Sequence, residues 1–148
     1  MQTVRDADDR EFLLVKRSEE SSRVRDPATG EERYLDNDDL TMVDGESPLE
    51  TAARGVPEAV RRVLKATHND RSLGLLLEVV DRGPVSVLVL MDDYDMCESD
   101  LHGTLSEFRA AGLVREADAA GRRGYEATET AVSAAAFLRD RDAADDGS

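Results

Sequence analysis

Apolar positions recur at two different spacings along this chain, and the change from one to the other divides it near residue 45. Before that point they come in short runs and alternations. Phe12, Leu13, Leu14 and Val15 form the centre of a strand over Glu11–Arg17. Residues 22–26 alternate, and residues 31–35 return as a partner strand. Between them Asp26-Pro-Ala-Thr-Gly30 is a turn, because Pro27 fixes φ and Gly30 accepts a positive one. Polar residues 18–22 separate the first pair, and residues 3–5 offer a further strand. The prediction is a small antiparallel β-meander of three or four strands over residues 1–45, which must pack on something else to bury much.

From residue 46 the spacing becomes helical. Ser47-Pro-Leu-Glu50 has the pattern of a capping box with proline at the first helical position, so a short helix starts there and breaks at Gly55-Val-Pro57. Pro57 opens a second helix through Thr67, with Val56, Val60, Val63 and Leu64 on one face. After a break at residues 68–70, Ser72 caps a helix over 73–81 that is apolar nearly all round and belongs at the centre of a core. Gly83-Pro84 ends it. Residues 85–91 suit a strand by Val and Leu content and a helix by position. We assign a short strand at 85–87 and a helix at 88–94.

The most informative stretch follows. Leu101, Leu105 and Phe108 are spaced for one helix face over residues 98–111, and Gly112 stops that helix where a left-handed turn costs little. A strand at 113–117, a glycine-rich loop at 118–124 and a second strand at 125–128 come next. Thr128-Glu-Thr130 then caps an Ala-rich helix through Arg139, in which Ala131, Ala134, Ala135, Phe137 and Leu138 suit either a dimer contact or packing on the same domain. Helix, glycine stop, strand, basic loop, strand, helix is the layout of a winged helix-turn-helix. The whole is expected to be α+β, with a meander at 1–45, linking helices at 46–70, a winged helix-turn-helix at 71–140 and a disordered tail at 141–148. No internal repeat is visible.

Ala110-Ala-Gly-Leu-Val114, Gly121-Arg-Arg-Gly124 and Tyr125-Glu-Ala-Thr128 resemble the second half of MarR/ArsR/PadR-type winged-helix regulators. The similarity covers residues 73–139, about half the chain, and the whole resembles small winged-helix proteins of haloarchaea. It implies a recognition helix at 98–111, a wing at 118–123 and a homodimer joined through helices outside the reading head. It specifies the fold better than the function.

Charge complicates that picture. The 148 residues carry 33 acidic and 19 basic side chains, a formal net charge of -14. Lys16 and Lys65 are the only lysines. Abundant carboxylates with little lysine and few aromatics point to a halophile's cytoplasm, where salt screens self-repulsion; a GC-rich genome would also replace Lys by Arg. On the helix at 98–111, Ser99, His102, Gly103, Ser106 and Arg109 face away from the apolar stripe and would enter a major groove. Arg122 and Arg123 would hold phosphate or minor groove from the wing. Arg54, Arg61, Arg62, Lys65 and Arg71 make a locally positive segment. Glu98, Asp100 and Glu107 oppose DNA on the same helix. Double-stranded DNA and a second copy of the chain are therefore the expected partners, in a homodimeric transcriptional regulator that binds DNA sequence-specifically. The alternative is an adaptor that meets another protein through its acidic helix or the meander.

Little else suggests chemistry. No run approaches the length of a membrane span, and the first residues lack a signal peptide's basic-then-apolar pattern, so a cytoplasmic location is expected. Cys97 is the only cysteine and admits no internal disulfide. As a small buried or N-capping residue it is crowded by Asp95, Glu98 and Asp100, which disfavour a thiolate switch. Cys97 and His102 fall on different helix faces and do not complete a metal site with Asp100. Asp92-Asp-Tyr-Asp95 lacks the glycine and glutamate of a calcium loop and reads as a solvated turn. His68 reads as a helix-end residue near the last carbonyls. No nucleophile–base spacing or phosphate-binding fingerprint occurs, so neither an enzyme nor a cofactor or metal is expected.

Overall fold

In the computed structural model, which describes residues 1–140, the alternating N-terminal pattern becomes five strands. These are β1 (Gln2–Arg5), β2 (Glu11–Arg17), β3 (Ser21–Arg25), β4 (Glu32–Asp36) and β5 (Thr41–Val43). They form one antiparallel sheet in the order β4-β3-β2-β1-β5. The expected meander is β1 to β4. The fifth strand escaped the sequence pattern because three residues cannot display an alternation. A 3₁₀ turn at Asn37–Asp39 precedes it, and the side-chain amide of Asn37 donates to the Ser18 carbonyl at 2.7 Å. β5 then pairs with β1, Thr3 opposite Val43 and Arg5 opposite Thr41.

Val4, Phe12 and Val24 are the buried apolar residues of this sheet's core cluster. The guanidinium carbons of Arg10 and Arg33 lie 5.4 and 5.1 Å from the Phe12 ring centroid, and both side chains bond the carboxylate of Asp26. Ser47 caps α1 (Pro48–Ala53), accepting from the Leu49 N–H, with proline at the predicted position. The helix is tied to β1 by a buried 2.6 Å hydrogen bond between the Thr3 and Thr51 hydroxyls.

The chain divides into two compact units, Met1–Pro57 and a second that begins at Glu58, so the segment expected as a linker at 46–70 is shared between them. The second unit contains α2 (Glu58–Ala66), α3 (Asp70–Arg82), β6 (Val85–Ser86), α4 (Val87–Tyr94), α5 (Glu98–Ala110), β7 (Val114–Ala119), β8 (Arg122–Ala127) and α6 (Glu129–Leu138). From α3 onward this is the element order of a winged helix-turn-helix, with a small sheet ordered β6-β8-β7. The expected tail at 141–148 lies outside the described residues.

Local physics corrects several boundaries. Asn69, not Ser72, is the N-cap of α3; its side chain accepts from the Ser72 N–H while the Ser72 hydroxyl receives the Asn69 N–H, closing a capping box. The Val/Leu run becomes helix α4 from residue 87 because Ser86 caps it, and Val87 and Leu90 turn inward while Leu88 and Val89 stay exposed. On α2, Val60, Val63 and Ala66 are buried, whereas Leu64, expected on that face, is 60% exposed. The core of the unit joins these residues to Leu76, Val79, Leu101, Leu105, Phe108, Leu113 and Ala131.

Candidate nucleic-acid interface

Everything that positions α5 is visible in its ends. Its start follows the three-residue turn Asp95-Met-Cys97, in which Asp95 takes a left-handed conformation with φ 49°. Its end is a Schellman motif. The Leu113 N–H bonds the Phe108 carbonyl at 2.8 Å and the Gly112 N–H bonds the Arg109 carbonyl at 3.0 Å, with Gly112 at φ 73°. Leu113 and Phe108, both fully buried, supply the apolar contact of that motif. Leu101, Leu105 and Phe108 fix the inward face, as their spacing predicts.

The residues pointing most directly outward are then Ser99, Gly103, Ser106 and Ala110, all exposed and all small. Ser99 and Ser106 thus stand on the expected surface. His102 sits to one side, half-buried, 3.5 Å from Glu98 one turn back. Cys97 is exposed rather than buried; it occupies the N-cap position without a capping hydrogen bond, and its sulfur lies 3.5 Å from the Ser99 hydroxyl.

The wing is shorter than a loop at 118–124 would make it. Strand pairing continues through Asp118 opposite Arg123 and Ala119 opposite Arg122, leaving Ala120 and Gly121 as a two-residue turn. Both have positive φ, 53° and 81°, which matches the right-handed twist of the strands. Because neighbouring strand residues point to opposite faces, Arg122 and Arg123 do not act together. Arg123 shares a face with Glu116 and Tyr125. Arg122 lies on the other face, beside Val89 and Ala119.

Arg109 was expected to reach outward from α5; instead it turns toward the wing. Its Nη1 lies 3.1 Å from Oε1 of Glu116, and Nη2 of Arg123 lies 2.8 Å from the same oxygen. Two guanidinium groups, one from α5 and one from β8, therefore converge on a single point. The hydrogen bond to Glu116, and then its charge, hold the Arg123 pKa above the ordinary arginine value. Glu116 was not among the candidate residues. Strand alternation alone would have placed it on the Arg123 face; its meeting with Arg109 required the packing of α5.

The remaining basic candidates lie on α2. Arg62 pairs with Glu58 one turn away at 2.9 Å and approaches the Gly112 turn, Arg61 is partly buried, and Lys65 is exposed. Acidic side chains of α5 are partly answered from elsewhere. Glu107 meets His68 at 2.6 Å, so His68 bridges to α5 instead of serving the carbonyls of α2. Asp93 on α4 bonds Arg82 at 2.7 Å, so the expected solvated turn at 92–95 is the paired end of a helix.

Among the described residues, no group of three or more His, Cys, Asp and Glu side chains could hold a metal ion, and no helix is long and apolar enough to cross a membrane. Away from the wing, Arg139 at the end of α6 grips both oxygens of Asp81 at 2.8 and 2.9 Å. The hydrogen bond from Arg139 holds the Asp81 carboxyl below the ordinary carboxylate range, desolvation opposes it, and the arginine charge adds to the lowering. A depressed folded-state pKa adds stability above the unfolded value and loses it as pH falls through the folded one. The difference in unfolding midpoint between the wild type and Asp81→Asn should therefore be present near neutrality and shrink toward zero on acidification below the carboxylate range. A difference that grows on acidification would contradict this assignment.

These two units together define a winged-helix protein with an N-terminal β-sheet unit. The chain belongs to a family of unknown function (DUF7346), whose model matches residues 1–139 and so spans both units. No curated protein and no solved structure matches it.

Proposed function

We propose that the second unit binds double-stranded DNA, with α5 against the major groove and the wing beside it, in a homodimeric regulator of transcription. The observation that carries this reading is the convergence of Arg109 and Arg123 next to an outward stripe of small side chains. Two guanidinium groups aimed at one oxygen form a ready site for a phosphate, with Glu116 standing where the phosphate oxygen would be. Ser99, Gly103, Ser106 and Ala110 let the helix backbone approach base edges closely, and the two hydroxyls can donate or accept there. For the dimer, Leu64 on α2 and Val132 and Phe137 on α6 leave apolar surface exposed on two helices away from the wing.

An acidic DNA-binding protein should also depend on salt in an unusual way. Basic domains gain affinity by releasing condensed cations, with a slope of about -0.9 per phosphate neutralised. Here Glu98, Asp100 and Glu107 would keep cations at the interface, so affinity should fall with KCl much less steeply, or not at all. Anisotropy of a labelled random-sequence duplex tests both points. Arg109→Ala with Arg123→Ala should lower affinity about tenfold at low salt, while Arg122→Ala should cost much less. A steep decline with KCl would refute the cation-bridged interface. An adaptor, favoured by those same three carboxylates, would leave the wild-type chain without measurable affinity for the duplex.

A further inference from the structure

One end of the first unit's sheet has no part in the duplex reading. In β3, Ser22 and Val24 are buried, so Arg23 and Arg25 point to the opposite face. Residues directly opposite one another across a sheet share a face. Lys16, Arg23 and Tyr34 therefore stand in one row across β2, β3 and β4. A second row on that face runs through Thr3, Leu13, Arg25 and Glu32. Helix α1 packs over β1 and β2 here, with Thr51 on Thr3. The β3–β4 end is left open: Tyr34 is 64% exposed, and the side chains of Arg23 and Arg25 are 41% and 40% exposed.

The sign of the charge reverses at this end. Across residues 1–57 carboxylates outnumber cations, yet Glu32 is the one carboxylate of the two rows. Its Oε1 accepts from Nη2 of Arg25 at 3.2 Å. Its Oε2 lies 3.2 Å from Nε of Arg23, which still lacks a hydrogen-bond partner. Lys16 is in no ion pair or hydrogen bond among the described residues. The arginines that lie over a ring, Arg10 and Arg33, cover Phe12, so among the described residues no cation occupies the ring of Tyr34. Neighbouring strands are about 4.8 Å apart, so an open aromatic ring and two cations share a row of about 10 Å.

We propose that this end of the sheet binds single-stranded DNA, one base stacked on Tyr34 and the flanking phosphates on Lys16, Arg23 and Arg25. Cations that track a backbone beside an aromatic that takes a base are what unpaired strands need. A duplex keeps its base faces inside the stack, out of reach of Tyr34. An acidic peptide would use the cations and leave the ring idle. Both oxygens of Glu32 are engaged, which leaves no strong acceptor for a 2′-hydroxyl and favours DNA over RNA. Binding here is independent of the duplex reading of α5 and the wing.

Anisotropy of a labelled thymidine strand of about 12 nucleotides, titrated with the full chain at low salt, tests this. Tyr34→Val removes the ring but keeps a residue that favours strands, and should weaken binding about tenfold. Tyr34→Phe should bind as the wild type does. Lys16→Gln should make the fall of log affinity with log KCl shallower by about 0.7. Arg109→Ala with Arg123→Ala should leave this affinity unchanged, which separates the sheet from the winged-helix unit. No binding at submillimolar protein, equal affinity for an abasic strand of the same length, or undiminished binding by Tyr34→Val would each overturn the proposal. So would a loss of binding in the double arginine variant. A glutamate oligomer bound as tightly as the thymidine strand would overturn it in favour of an acidic protein partner, and a uridine strand bound more tightly in favour of RNA.

Discussion

Glu116→Gln is expected to strengthen binding to duplex DNA about tenfold at low salt. Removing this one charge acts twice. It releases the guanidinium groups of Arg109 and Arg123 from their shared oxygen, and it removes a carboxylate that repels phosphate from the same spot. Glutamine keeps the length of the side chain and an amide oxygen, so the strand geometry should persist. The cost to folding should be small, because exposed ion pairs contribute roughly 0–1 kcal/mol. The gain should shrink in concentrated KCl, where screening already weakens the grip of Glu116. Anisotropy at about 0.1 M and again above 1 M KCl reads both effects, since the Debye length falls from ~10 to ~3 Å between them. Unchanged or weaker binding at low salt would mean that these arginines do not face the nucleic acid.

Gly124→Ala should be the most damaging single-methyl change in the second unit, destabilising it by about 3 kcal/mol. The added Cβ would lie 2.3 Å from the Val85 carbonyl oxygen and 2.8 Å from its carbon. Both obstacles are backbone, so no side chain can swing aside. Relief would require β6 to leave β8, yet β6 has only two residues, and Ser86 within it caps α4. Loss of that bridge would loosen α4 and, through it, the turn that leads into α5. Gly103→Ala offers the contrast. It sits inside α5 with nothing near its would-be Cβ and should stabilise the unit by about 0.5–1 kcal/mol. Urea unfolding of both variants would check the pair. A Gly124→Ala midpoint equal to that of the wild type would show that β6 is not held against β8.

The elements read most easily from sequence were those whose determinants are local. The stop at Gly112, the cap at Ser47 and the apolar spacing of α5 each depend on a few neighbouring residues, and each appears where the pattern put it. Helix α4 is harder, because its valines favour strands while its leucines favour helix; the Ser86 cap and the burial of Val87 and Leu90 decide for helix. Strand β5 needed β1 to define it. The wing departs from its sequence pattern in a different way. Asp118 to Gly124 reads as a basic glycine loop, yet pairing runs almost to its tip and sends Arg122 and Arg123 to opposite faces. For the candidate site, the outward positions of Ser99 and Ser106 followed from helical periodicity alone. The destination of Arg109 did not, because a long side chain at the end of a helix chooses among tertiary partners. Its partner Glu116 lies on a strand that packing brings alongside.

Placement of duplex DNA against α5 can be observed directly by following backbone amide resonances of the labelled full chain. A random-sequence duplex of about 20 bp, two turns of the double helix, is long enough to meet both reading helices of a dimer spaced about one turn apart. Groove binding predicts shifts concentrated at Ser99, Gly103, Ser106 and Ala110, with a second set at Glu116 and Arg123 and little change in residues 1–57. Shifts confined to residues 1–57, or none at saturating duplex, would contradict it.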